Sequence, residues 1–405
     1  MAFLKNYRST ILLLLGLVAG GILGAFLGPD AAILKPVGTI FLNLIFVLVV
    51  PLVFLSVAQA MVILRQNGMI GRVLGTSFLV FLFMSLVSGI FSYGVMILWN
   101  PFAEVTALGG DAAAGGILGE NVSVGDAIAS TFTVDDFPLL LSREHLLPLI
   151  LFAALFGLAV SFLGNQVPTL EKLIFEGSAV IMKIMDLVMK LAPLGIGCYF
   201  AYTIGQLGGQ IVGNYLEVLL EVIVISAVCF FVFNSFYALF CKIPLGRFWK
   251  ALIVPAATAV GTCSSAACIP VNIAAAQQMG VSAKIANGVI PLGTNLHKDG
   301  SLITGVAKIL FTLYFFGMMP SGIGSAALVI LLALMVSVVV GAIPVGGMTG
   351  ELLICAVLGI DPSFAATLLI LGTICDIPAT LLNATGNLVA AAVVEHLTPS
   401  RRPAA

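Results

Sequence analysis

The chain has 405 residues, 60% hydrophobic and only 9% charged, with a formal net charge of −1 and a mean hydropathy of +1.19. Soluble domains carry roughly 25% charged residues, so a soluble globular domain is excluded, and the absence of a basic excess argues against nucleic acid. The composition is that of an all-α integral membrane protein, whose first partner is the lipid bilayer.

Stretches long enough to span occur at 10–28, 38–62, 74–99, 146–163, 172–205, 215–241, 283–318 and 362–396. The first follows Lys5 and Arg8, as in a signal peptide, but Ile11–Leu27 offers no convincing cleavage site and reads as a span. Residues 101–144 form an acidic outer loop containing Glu104, Asp111, Glu120, Asp126, Asp135 and Asp136. The seven cysteines form no CxxC pair and read as membrane-packing residues; His145, His297 and His396 are scattered, which argues against a metal cluster.

Two apolar stretches do not fit simple spans. Residues 250–280 are interrupted at 261–267 and then by Pro270, and 322–360 are interrupted by the Gly- and Pro-rich run 341–350. Non-helical backbone at membrane depth survives only where protein or a cavity covers it. Both stretches are therefore predicted to be re-entrant helical hairpins, the alternative being two kinked spans. With both termini cytoplasmic, eleven Lys and Arg residues fall inside and only Lys35 and Arg143 outside, as the positive-inside rule requires.

The last span carries a polar stripe. Asp376, Thr380, Asn383 and Asn387 share an arc of roughly 60° at helical spacing. Ionisable groups inside a bilayer are costly, so the stripe marks a solute or ion pathway. A channel needs a continuous polar pore, whereas this is one local cluster between two hairpins, so alternating access is expected. No P-loop is present to couple ATP, and no protease motif surrounds Asp299 or Asp376, so the chain is read as a transporter and not an enzyme.

Five strings, in order, resemble the dicarboxylate/amino acid:cation symporter family, of glutamate-transporter type. They are Val50–Phe54, Leu191–Gly195, the serine-rich Ser264–Asn272, Pro291–Gly293 followed by Asp299–Gly300, and Asp376–Asn383 followed by Thr385–Gly386. Ser264–Asn272 is closest to the serine/threonine symporter branch. The resemblance implies eight transmembrane helices plus two re-entrant hairpins, a homotrimer and an elevator motion. It implies scaffold helices in 1–165 (the third helix partly in the transport unit), helices five and six in 166–249, and a transport core in 250–405. The second hairpin would be the gate, with Gly346 and Gly347 at its tip. Compact loops suit a bacterial inner membrane.

By the same resemblance, Ser264, Ser265, Ser301, Asp376, Thr380 and Asn383 bind substrate. Ser85, Gly293, His297, Lys298, Asp299 and Asn387 form the cation-site or coupling set, with Na+ or H+ as coupling ion and no other cofactor. The positions that carry arginine in acidic-substrate members read Ala379 and Cys263. By the resemblance Asp376 would hold a substrate ammonium, and without a guanidinium for a second carboxylate the expected substrate is a small neutral amino acid such as serine, threonine or alanine. The alternatives are a sodium-coupled serine/threonine symporter and a proton- or sodium-coupled dicarboxylate carrier. The family string Asn-Met-Asp-Gly reads His297-Lys298-Asp299-Gly300, and the third helix offers Phe81 and Met84 where the family has Tyr and Thr, with Ser85 retained. These suit a hard cation poorly. Lys298 is thus expected to replace a bound cation, with His297 or Asp299 taking protons; the alternative turns Lys298 away, to pair with Glu351 or to reach water.

Overall fold

Hydrocarbon offers the backbone no hydrogen-bond partner, so a chain this apolar must satisfy its own amides. The computed structural model describes residues 8–66, 71–102, 133–142, 145–208, 210–339 and 347–398, and among them there are helices and helical turns and no strand. Five stretches among them are long and apolar enough to cross a membrane: Ile11–Ile63, Val73–Trp99, Pro148–Gln166, Val212–Phe240 and Asp376–Leu397.

Helices α1 (Arg8–Leu27) and α2 (Lys35–Gln66) are joined by a 3-10 turn, Gly28–Leu34. Gly28 turns the chain with a φ of 56°, a left-handed conformation that needs no Cβ. Then come α3 (Gly71–Trp99), α4 (Leu146–Leu163), α5 (Pro168–Met189) and α6 (Ala192–Leu207). The predicted span 172–205 is thus two helices. The break falls at Lys190–Leu191, just before Pro193, which can begin a helix but not continue one. Helix α7 (Gln210–Val228) passes through a π-turn at Cys229–Phe233 into α8 (Asn234–Phe240).

The first predicted hairpin is α9 (Leu245–Thr262) and α10 (Ile269–Met279). The span 283–318 is broken into α11 (Ala283–Leu296) and α12 (Asp299–Phe315), and 362–396 into α15 (Ala365–Ile374) and α16 (Asp376–Leu397). Between them lie α13 (Gly322–Val339) and α14 (Gly347–Leu358), the arms of the second predicted hairpin. Its tip, including Gly346, lies outside the described residues, and Gly347 is the first residue of α14.

Small residues set the closest crossings. A Cβ on Gly16, Gly20 or Gly24 of α1 would sit 2.2, 2.1 or 2.4 Å from the carbonyl oxygens of Pro193, Gly197 and Ala201 of α6. This seam lets the two backbones touch, which is how helices associate where lipid is as apolar as leucine. Helix α2 packs on α4, α5 and α6. Helix α12 is buried along its length by α3, α13 and α16, and α9, α10 and α11 gather on α16. Thr380, Asn383 and Asn387 of the polar stripe are therefore buried within a packed group of helices, and Asp376 at its start is half-buried.

Candidate functional site

Two helix breaks build the site. Helix α11 stops at Leu296, the non-helical pair His297 and Lys298 follows, and α12 starts at Asp299. Helix α15 stops at Ile374 and α16 starts at Asp376, after Cys375. Both new helices open on an aspartate, where unsatisfied N–H groups favour a carboxylate. Gly300 brings the two starts together: a Cβ there would lie 2.0 Å from the Ala379 carbonyl oxygen. That contact sets the register of the polar residues. The Ser301 amide donates to Asn383 Oδ1 at 3.1 Å, and Asn383 Nδ2 donates back to Ser301 Oγ at 3.0 Å. Thr380 Oγ1 donates to Asp376 Oδ1 at 3.4 Å. Ser301–Asn383 and Thr380–Asp376 thus form two hydrogen-bonded pairs, the second within α16 and the first between α12 and α16.

The serine-rich tip is built differently. Cys263 ends α9 in the left-handed region with φ 47°. The Ser264 amide donates to Thr262 Oγ1 at 3.2 Å, and Ser264 Oγ accepts from the Ala267 amide at 3.3 Å, so this hydroxyl serves the turn. The Ser265 carbonyl accepts from the Cys268 amide. The hairpin is fastened to α16 beside the site: Asn272 Nδ2 donates to the Ala384 carbonyl at 2.8 Å, and Ala259 and Cys268 pack on Ala384.

The coupling residues form a second cluster. Asn387 Nδ2 donates to the Asn383 carbonyl at 2.7 Å, which assigns the amide orientation and turns Oδ1 toward His297 Nδ1, 3.1 Å away. Nδ1 therefore carries a hydrogen. The other ring nitrogen, Nε2, lies 3.2 Å from Asp299 Oδ1, somewhat out of line for a hydrogen bond, and Ser85 Oγ donates to the same oxygen at 3.1 Å. Phe81 stacks on the imidazole, with ring centroids 5.0 Å apart. Gly293 makes room: a Cβ there would meet Asn387 Oδ1 at 2.4 Å. The arrangement does not suit sodium between these residues. The imidazole fills the space between Asn387 and Asp299, and the Phe81 ring covers it where a hard cation needs oxygens. It does suit a proton, because a bare Nε2 lone pair facing an ionised Asp299 is unfavourable and one proton between them removes the conflict.

Lys298 is buried, and its ammonium has no carboxylate within salt-bridge distance among the described residues. The pairing with Glu351 considered from sequence does not occur, because Lys308 of α12 holds that carboxylate. Asp376 feels the charge of both Lys298 and Lys308. Sequence reasoning overlooked Lys308. Its signal was available: a lone cation and a lone acid, each in an apolar helix, are expected to find one another. At and beside the two helix breaks, the two ammonium groups thus stand against Asp299, Glu351 and Asp376, a local sum of −1 with His297 neutral; Glu221 of α7 is a further buried acid.

A cluster of charged residues at paired helix breaks, inside a bundle of apolar helices, defines a multi-pass membrane transport protein. The chain belongs to the sodium:dicarboxylate symporter family, whose model matches residues 10–397. A C4-dicarboxylate transport protein from Sphingopyxis alaskensis is 30% identical over 94% of this chain and 86% of its own length. Proteins of the same name from Rhizobium johnstonii and Xylella fastidiosa are 27% and 28% identical, over 94% and 72% of this chain and 87% and 66% of their own.

These names overturn the expectation of a small neutral amino acid as substrate. That expectation rested on Asp376, read as the partner of a substrate ammonium, and on the missing arginines at positions 263 and 379. It counted Lys298 only as a substitute for a bound cation and left Lys308 out, although an ammonium also receives a carboxylate, as a point charge and not as a fork.

Proposed function

We propose that this protein is a secondary carrier of C4-dicarboxylates, coupled to protons. The observation that carries the reading is the buried Lys298 ammonium, which has no anionic partner in ion-pair contact among the described residues and whose charge acts on Asp376. An uncompensated buried ammonium is costly, and a substrate carboxylate would relieve that cost. Asn383 and the tip residues Ser264 and Ser265 would supply donors to the remaining carboxylate oxygens.

Charge accounting supports symport. Adding a dianion to the five charged groups at and beside the helix breaks, which sum to −1, gives −3, which hydrocarbon opposes strongly unless cations enter too. The His297–Asp299 pair is the proposed site for one proton, with Ser85 and Asn387 fixing the two partners and Gly293 making room. In the same reading, the group gathered on α16, within 250–405, moves as an elevator against a scaffold built around α1, α2, α4, α5 and α6, with the second hairpin as gate. Trimeric assembly is carried over from the family resemblance.

The test is uptake of radiolabelled succinate into proteoliposomes holding purified protein. It compares sodium with choline outside, each with and without an inward proton gradient. Succinate uptake that follows the proton gradient in choline is the expected result. Absence of succinate uptake under all four conditions refutes the substrate, and uptake that requires sodium refutes the coupling.

A further inference from the structure

Lys308 and Glu351 enter the site so far only through their charge, and in the proposed function neither contacts substrate. Lys308 sits on α12, nine residues beyond Asp299, and Glu351 on α14; both are buried and form a direct ion pair. A third helix shapes the pocket that holds them. A Cβ on Gly372 of α15 would lie 2.6 Å from Lys308 Nζ and 3.1 Å from Glu351 Oε1, so the ion pair occupies the space a side chain would fill. Gly372 is four residues before Asp376, across the break at Cys375. The pair therefore joins α12, α14 and the α15–α16 junction at one point.

Its charges are not closed off locally. Glu351 Oε2 is buried without a hydrogen-bond partner, so the carboxylate is held through one oxygen only. The Lys308 ammonium also acts on Asp376. One cation thus serves two acids on two different helices. Apolar side chains could give comparable stability at such a place, so the position of the pair beside Asp376 points to a second role.

We propose that Lys308 is a positioning residue for the transport reaction. Held by Glu351 and the Gly372 notch, it ties α14 to the α15–α16 junction and offsets the negative charge of Asp376, so that an anionic substrate can approach Lys298. The charged and titratable groups that bear on Asp376 among the described residues are Lys298 before α12, Lys308 on α12, Glu351 through Lys308, and Cys375 beside it. The inference rests on the dicarboxylate reading for its substrate but not for its anchoring.

The experiment uses the full-length protein with Lys308→Met/Glu351→Gln, which removes both charges together and leaves neither buried alone. Lys308→Arg serves as the conservative control. Succinate uptake is expected to show a KM raised about tenfold with Vmax per transporter within about twofold of wild type, while Lys308→Arg stays near wild type. A double variant with unchanged KM overturns the charge role. In a background where Cys375 is the only cysteine, its maleimide labelling is expected to rise about tenfold in the double variant, because the junction loosens and exposes a thiol now buried. Unchanged labelling overturns the anchoring role. Wild-type protein that takes up no succinate, while Cys375 labelling still responds to the double substitution, refutes the substrate reading and supports the anchor.

Discussion

Replacing Gly300 by alanine is expected to disable transport by forcing two helices apart. The new Cβ would lie 2.0 Å from the Ala379 carbonyl oxygen and 2.5 Å from its Cα, well inside the 3.0 Å that real Cβ contacts respect. Both obstructing atoms are backbone, so no rotamer change relieves the overlap. Overpacking of this kind costs about 3 kcal/mol when backbone must move, and the helix preference for alanine over glycine returns only about 1 kcal/mol. A net loss of about 2 kcal/mol follows. The movement also pulls Ser301 from Asn383, whose two hydrogen bonds span 3.1 and 3.0 Å. Displacement by about 1 Å at a positioned group can reduce rates roughly a hundredfold. The control lies on the same helix: at Gly305 a Cβ would meet Ala333 at 3.5 Å, an ordinary contact, so Gly305→Ala is expected to be neutral or slightly stabilising. Denaturation in detergent and uptake in proteoliposomes, measured on both variants, decide the matter. Equal stability and equal uptake would show that the α12–α16 crossing is not the tight contact described.

Lys298→Met is expected to abolish saturable succinate uptake while raising thermal stability, because it removes a buried ammonium that has no ion-pair partner; loss of stability together with loss of uptake would point to a structural role. His297→Gln keeps a polar side chain but removes the proton acceptor, so uptake is expected to lose its response to an inward proton gradient. Retained acceleration would move the coupling site elsewhere. Asn272→Ala deletes the buried bond to the Ala384 carbonyl and is expected to cost about 1–3 kcal/mol of stability, read as a lower denaturation midpoint.

Much of the fold could be read before any coordinates. The stripe from Asp376 to Asn387 falls on one helix because its 3.6-residue spacing survives in an apolar background, and the small-residue run at 261–267 marked where the 250–280 stretch is interrupted. Hydropathy sums could not see the break at Lys190–Leu191, since the helices on either side are apolar enough to merge in a window. Nor could they see the Lys308–Glu351 pair. Its partners are 43 residues apart on different helices, and such pairing leaves no periodic trace. The substrate went astray for a related reason. Absent arginines are visible in a string of letters, while the position of a lysine relative to Asp376 is a property of the folded chain.

The glycine seam between α1 and α6 bears on how the molecule responds to its surroundings. Three successive turns of α1 meet α6 backbone to backbone, leaving no side-chain layer in which one helix could slip along the other. The two therefore behave as a single stiff beam. When the bilayer thins or thickens, such a beam accommodates the mismatch by tilting as a unit rather than by shearing internally. A change in lipid chain length would then be felt by this protein as a change of inclination, passed through α2 to the helices packed on it.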